Sequence, residues 1–195
     1  MKKNSTKYKI LNTAAVCFSK NGYHKTSVDE IAALAEVAKG SVYYNFMNKD
    51  DLLFNVIKWG IELLNDEIEK IYLEDLSEEE TFYKVLKAYI RISMKYPELT
   101  SLVFNSITDT ISEEAAAKIN TALNNLTEST ARLLKHGADS GFIKSMDFHL
   151  ASAGMFGLIT NMCGYYRKNL KDENPEIVYE TIFQTFYSGI VDNGE

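Results

Sequence analysis

The side chains best suited to chemistry cluster in one short stretch, VAKGSVYYNFMNKDDL, from Val37 to Leu52. Lys39 and Lys49 can each meet a phosphate, and Lys39 a guanine edge as well. Between them, the hydroxyls of Tyr43 and Tyr44 can donate to phosphate oxygens while their rings pack on sugar or a thymine methyl. Gly40 lies just inside an expected short helix, where it costs about 1 kcal/mol relative to alanine. A residue without a side chain lets that helix start approach another backbone closely, its N–H groups turned to a phosphate. Ser41 is small enough to follow it. This is the chemistry of contact with a polyanion.

Catalytic chemistry finds no comparable support. His24, His136 and His149 are scattered without metal-ligand spacing, and no nucleophile elbow, phosphate-binding loop or dinucleotide fingerprint occurs. The expectation is therefore a protein with no enzymatic activity, cofactor or metal. Cys17 and Cys163 fall inside apolar helical patterns and read as buried thiols of a reducing, cytoplasmic compartment. MKKNSTKYKI lacks the apolar run of a secretory signal. Between Asp147 and Arg167 there is no charged residue, but His149, Ser152, Thr160, Asn161 and three glycines make this a poor lipid-facing span. It reads as a helix buried by protein, with no membrane partner.

Positioning the basic cluster requires helices. The first is predicted from about Ser5 to Asn21, burying Ile10, Leu11, Ala14, Cys17 and Phe18, with Gly22 as its left-handed stop. Ser27 with Glu30 has the spacing of a capping box, opening a helix that turns Val28, Ile31, Ala32 and Ala35 inward. Asn48 with Asp51 opens a long amphipathic helix. Ser77 with Glu80, Pro97, Ser112, Asp147 and Asn174–Pro175 mark later starts. The total is an all-α chain of nine helices. Its net charge of −6 is unevenly spread: residues 1–50 hold eight lysines against four acids, +4, and the rest carries −10. A basic head on an acidic body suggests that the head meets the polyanion.

Thr26 to Phe46 then makes one unit. A helix from Ser27 to about Ala35, a turn through Glu36–Val37–Ala38 and a helix from Lys39 to Phe46 form a helix-turn-helix. Its second helix enters the DNA major groove, while Val42 and Phe46 sit on the inward face.

TSVDEIAALAEVAKGSVYYNF followed by NKDDL, and preceded by ILNTAAVCFSKNGY, resembles the DNA-binding domain of tetracycline-repressor-like (TetR-family) regulators. The resemblance covers roughly residues 1–50. It implies an all-helical homodimer with a three-helix helix-turn-helix head and a C-terminal bundle that dimerises and often binds a small effector. On that resemblance Thr26 and Ser27 touch phosphate at the start of the second helix. Lys39, Gly40, Ser41, Tyr43 and Tyr44 face the groove, and Lys49 holds the DNA backbone. Ala38 departs from the family's usual serine or threonine, and Asn45 from its tyrosine or histidine, though asparagine can still hydrogen-bond.

The division expected is residues 1–50 for DNA binding and 51–195 for effector binding and dimerisation. Candidate pocket residues are Trp59, Met94, Phe104, Phe156, Met162 and Tyr166, aromatic and adaptable side chains on the later helices. Gly154, Gly157, Val178, Ile182 and Phe186 are candidates for a four-helix dimer interface. The function expected is a dimeric transcriptional regulator, a repressor released from a palindromic double-stranded operator by a small-molecule effector. The alternatives are an effector-independent DNA-binding protein, or a small-molecule-binding bundle with a vestigial head.

Overall fold

A computed structural model describes residues 5–104, 111–170 and 174–190. Among them run nine helices: α1 (Thr6–Asn21), α2 (Val28–Leu34), α3 (Lys39–Asn45), α4 (Lys49–Tyr72), α5 (Glu78–Lys95), α6 (Pro97–Phe104), α7 (Glu113–Asp139), α8 (Phe148–Asn169) and α9 (Glu176–Ile190). They group into two compact units, residues 1–62 with 98–123 and residues 63–97 with 124–195. Helices α4 and α7 each contribute residues to both.

In the first unit, local chemistry sets the boundaries. The Ser5 hydroxyl accepts the Tyr8 N–H, and Gly22, at φ +79°, closes α1 by donating its N–H to the Phe18 carbonyl. Ile10, Leu11, Ala14, Cys17 and Phe18 are all buried, as their spacing predicts. Ser27 accepts the Glu30 N–H, but the Glu30 carboxylate takes the Asn21 amide at 3.1 Å. Half of the expected capping box is thus replaced by a tie between α1 and α2. Glu36 turns the chain at φ +56°, and Val42 and Phe46 are buried beneath α3. At the next start the exchange is reciprocal: Asn48 accepts the Asp51 N–H at 2.8 Å, and Asp51 accepts the Met47 N–H at 2.9 Å.

Further along α4, Trp59 is buried edge-on to Tyr8, their ring centroids 5.3 Å apart. Gly60 is there for space: a Cβ on it would lie 2.8 Å from Val103 Cγ2 and 3.0 Å from Leu99 Cγ of α6. In the second unit, Ser77 and Glu80 form the complete capping box of α5. Asp147 caps α8 through the N–H groups of His149 and Leu150, and Asn174 accepts the Glu176 N–H at the start of α9. Phe82 packs among Phe142, Phe186 and Tyr187, with centroids 6.0–6.3 Å away. Among the described residues no helix is long and apolar enough to cross a membrane, and no group of His, Cys, Asp or Glu could hold a metal ion.

Gly60→Ala tests the packing. Alanine gains about 1 kcal/mol of helix propensity, while overpacking against a stiff β-branched valine costs about 1–3 kcal/mol. Thermal unfolding followed by circular dichroism should show a lower Tm; a higher one would mean that α6 yields freely.

Candidate nucleic-acid interface

The head divides its residues by face. Val42 and Phe46 are 1% and 2% exposed, whereas Tyr43 is 48% and Tyr44 89% exposed on the same helix. Burying one such ring is worth roughly 1.5–3 kcal/mol, so leaving two in water signals a surface meant to be covered. Gly40 belongs to that face. A Cβ built on it meets nothing within 4 Å, so packing inside the protein does not require glycine. Two further apolar residues of the head are exposed, Leu34 at the end of α2 and Met47 between α3 and α4. Sequence reasoning missed both, because an apolar residue beside a core pattern reads as core.

Lys39 is exposed and paired with Asp29 at 2.7 Å. The Asp29 hydrogen bond raises its pKa, so it stays cationic. An exposed pair of this kind is weak, leaving the ammonium available for exchange to a phosphate. Ser27 is exposed, and its hydroxyl accepts from Glu30 N–H, which leaves its own proton to donate. Ser41 is half-buried, and its carbonyl receives the Asn45 side-chain amide at 2.8 Å. Asn45 therefore reaches back along α3, with its amide oxygen left as an acceptor.

One expected phosphate contact needs correction, and a second residue has internal partners. Thr26 is 1% exposed, and its hydroxyl points inward to the carbonyls of Gly22 (2.8 Å) and Cys17 (3.1 Å). It holds the end of α1. Lys49 donates to the carbonyls of Tyr23 (2.9 Å) and Thr26 (3.1 Å), with its ammonium 4.1 Å from the Tyr23 ring centroid. Two of its three N–H groups are committed, so Lys49 acts first as a staple on the turn before α2.

Of the expected effector residues, two line one cleft among the described residues. Trp59 belongs to the first unit; Phe156 is buried 5.4 Å from the Tyr89 ring; Met94 is half-buried. The Phe104 side chain lies outside the described residues. Met162 and Tyr166 line a cleft of about 500 Å³ with Asn161, Tyr165, Ile177, Val178 and Thr181. Within the second unit a separate cavity of about 300 Å³ is walled by Asn65, Ile68, Glu69 and Tyr72 of α4, Tyr89 of α5, and Ser129, Thr130 and Leu133 of α7. At this cavity the Thr130 hydroxyl donates to the Leu126 carbonyl, so Tyr89 Oη, 2.9 Å away, donates to Thr130. Burial pushes the Tyr89 phenol up to about 12, keeping it neutral. One signal was legible: Thr130 interrupts the apolar spacing of Leu126 and Leu134.

The dimer candidates also divide. Val178 and Ile182 are 5% and 0% exposed within a single chain, and Phe186 stacks on Phe82 at 6.3 Å. Val178 and Ile182 are corrected to the protomer's own core, while Phe186 is half-buried. Gly154 and Gly157 are exposed, with open space beside them. They continue a stripe with Leu150, Asn161 and Tyr165 on the outer face of α8.

Residues 10–56 match the model of the bacterial regulatory proteins of the tetR family, and residues 75–189 match the tetracyclin repressor-like C-terminal domain. The chain belongs to the TetR family. It is a helix-turn-helix transcription regulator that binds DNA. It is 30% identical over 198 residues to the fatty acid metabolism regulator protein of Bacillus subtilis, covering 97% of this chain and 98% of that one. It is also similar to QacR of Staphylococcus aureus, 34% identical over 49% of this chain and 58% of the relative. The structure of FadR from Bacillus subtilis in complex with stearoyl-CoA superposes with a TM-score of 0.74 at 25% identity, covering 93% and 98%. These relatives are regulators.

Reader and scaffold residues should separate in two assays. Tyr44→Ala should leave Tm unchanged and weaken DNA binding at least tenfold. Thr26→Val should instead cost about 1–3 kcal/mol of stability, from carbonyls left unsatisfied. A Tyr44→Ala protein that binds DNA like the parent would remove that ring from the interface.

Proposed function

We propose that the chain works as a cytoplasmic homodimeric repressor that reads a palindromic operator and is released by an acyl-coenzyme A thioester. Residues 1–50 read DNA, and residues 51–195 bind the effector and dimerise. The observation that carries the reading is the outward face of α3: two tyrosines left in water beside a glycine that the protein's own packing does not require. Two heads on one dimer reach successive major grooves about 34–36 Å apart. The ligand class is supported by the fatty acid regulator relative and by the stearoyl-CoA complex of FadR, and the cavity walled by α4, α5 and α7 offers Ile68, Tyr72 and Leu133 beside polar groups. A ligand that binds better when the heads are wrongly spaced draws the population away from the operator. Dimerisation is assigned to the exposed stripes Leu150–Gly154–Gly157–Asn161–Tyr165 of α8 and Ile177–Thr181 of α9, where small residues allow close helix approach.

Fluorescence anisotropy on DNA from immediately upstream of the gene, and on scrambled duplex, tests the reading. Selective binding whose log K falls by ~0.9 per phosphate neutralised is expected. Stearoyl-CoA should release the complex, and Ser129→Trp, which puts an indole at the cavity wall, should keep operator binding and abolish release. Binding with no response to any acyl-CoA would favour the effector-independent alternative. Tyr165→Glu should convert the dimer to monomer in sedimentation velocity; an unchanged dimer would place the interface elsewhere.

A further inference from the structure

One carboxylate links three elements at the start of α4. Asp50 accepts the Tyr23 hydroxyl on Oδ1 and the Ser112 backbone N–H, 3.1 Å away, on Oδ2. Tyr23 lies in the turn between α1 and α2, and Ser112 caps α7 by accepting the Ala115 N–H. The adjacent Lys49 grips the same turn through the carbonyls of Tyr23 and Thr26. The turn carrying the helix-turn-helix, the first turn of α4 and the N-terminus of α7 are thus joined through a single side chain. The donors from Ser112 and Tyr23 hold the Asp50 carboxyl below the usual carboxylate range, so it is ionised throughout the physiological range.

The same two helices carry walls of the 300 Å³ cavity: Asn65, Ile68 and Tyr72 on α4, Thr130 and Leu133 on α7. Ser112, at the start of α7, and Thr130, within it, are 18 residues apart along the chain. We infer that Asp50 is a positioning residue for operator binding, fixing the helix-turn-helix on α4 and relaying to it any displacement of α7. The inference rests on the reading of the chain as a DNA-binding regulator. It also makes a prediction of unusual sign. Deleting a negative charge near a DNA-binding face strengthens binding by simple electrostatics. A positioning carboxylate predicts the reverse.

The test uses the full-length dimer and a duplex enriched by the parent protein from a random DNA library. Kd is measured over a salt series for the parent, Asp50→Asn, Tyr23→Phe, the double variant and Ser112→Pro, which lacks the N–H. Asp50→Asn and Tyr23→Phe should each weaken binding about tenfold, as loss of a charge-assisted hydrogen bond implies. The double variant should be no weaker than the worse single one, because both delete one shared interaction. The salt slope should not change, since no phosphate contact is lost. Ser112→Pro should weaken binding in the same direction.

Parent-like or tighter binding by Asp50→Asn, or losses that simply add, would overturn the positioning role. Ser112→Pro binding like the parent would overturn the relay to α7. Should Asp50→Asn or Ser112→Pro fail to fold, Tyr23→Phe decides, since it keeps the ring beneath the Lys49 ammonium. If the parent enriches no duplex, the regulator reading itself fails, a result distinct from the others.

Discussion

A seven-residue helix has no stability of its own in water, so the exposed face of α3 is held in place only because its inner side is buried. Val42 and Phe46 are sunk in the three-helix head, each worth roughly 1.5–3 kcal/mol. That burial fixes the rotation of α3 about its axis. Because helical positions advance by about 100° per residue, fixing Val42 and Phe46 inward sends Gly40, Tyr43 and Tyr44 outward. The exposed rings are the opposite side of a packing decision.

Polar groups then set what apolar burial leaves loose. Thr26 ties the end of α1 through its hydroxyl, Glu30 holds Asn21, and Lys49 binds the carbonyls of the turn before α2. These contacts use directional bonds where the chain changes direction, and cores provide little orientation there. The charge of the head is divided accordingly. Lys39 is exposed in a weak pair open to exchange, while Lys49 is spent on internal carbonyls. Two lysines ten residues apart in a basic stretch thus have different tasks.

The second unit follows another rule. Its core is aromatic around Phe82 and polar at one place, where Tyr89 and Thr130 form a buried pair beside a cavity. A hydrogen-bonded hydroxyl pair is stable there because each proton has an acceptor, Tyr89 donating to the Thr130 oxygen and Thr130 to the Leu126 carbonyl. Tyr89 Oη still has acceptor capacity toward whatever enters. In this unit α8 buries Met155, Phe156, Ile159 and Cys163 on one face and exposes Leu150, Gly154, Gly157 and Tyr165 on the other.

The sequence by itself determined the elements, because caps and helical periodicity are local. Ser5, Gly22, Ser27, Asn48 and Ser77 mark ends whose hydrogen bonds close within four residues, and the burial of Ile10, Val42 and Phe46 follows from spacing alone. The outward position of Tyr43 and Tyr44 on α3 was legible for the same reason. Tertiary structure decided which polar side chain reaches which carbonyl. Thr26 and Lys49 turn inward, and Asp50 finds Tyr23 and Ser112, partners 27 and 62 residues away that no local pattern specifies. It also decided which face of α9 is core, so that Val178 and Ile182 serve the protomer's own interior. An apolar stripe records that it will be covered, but the identity of the covering surface depends on how distant helices pack.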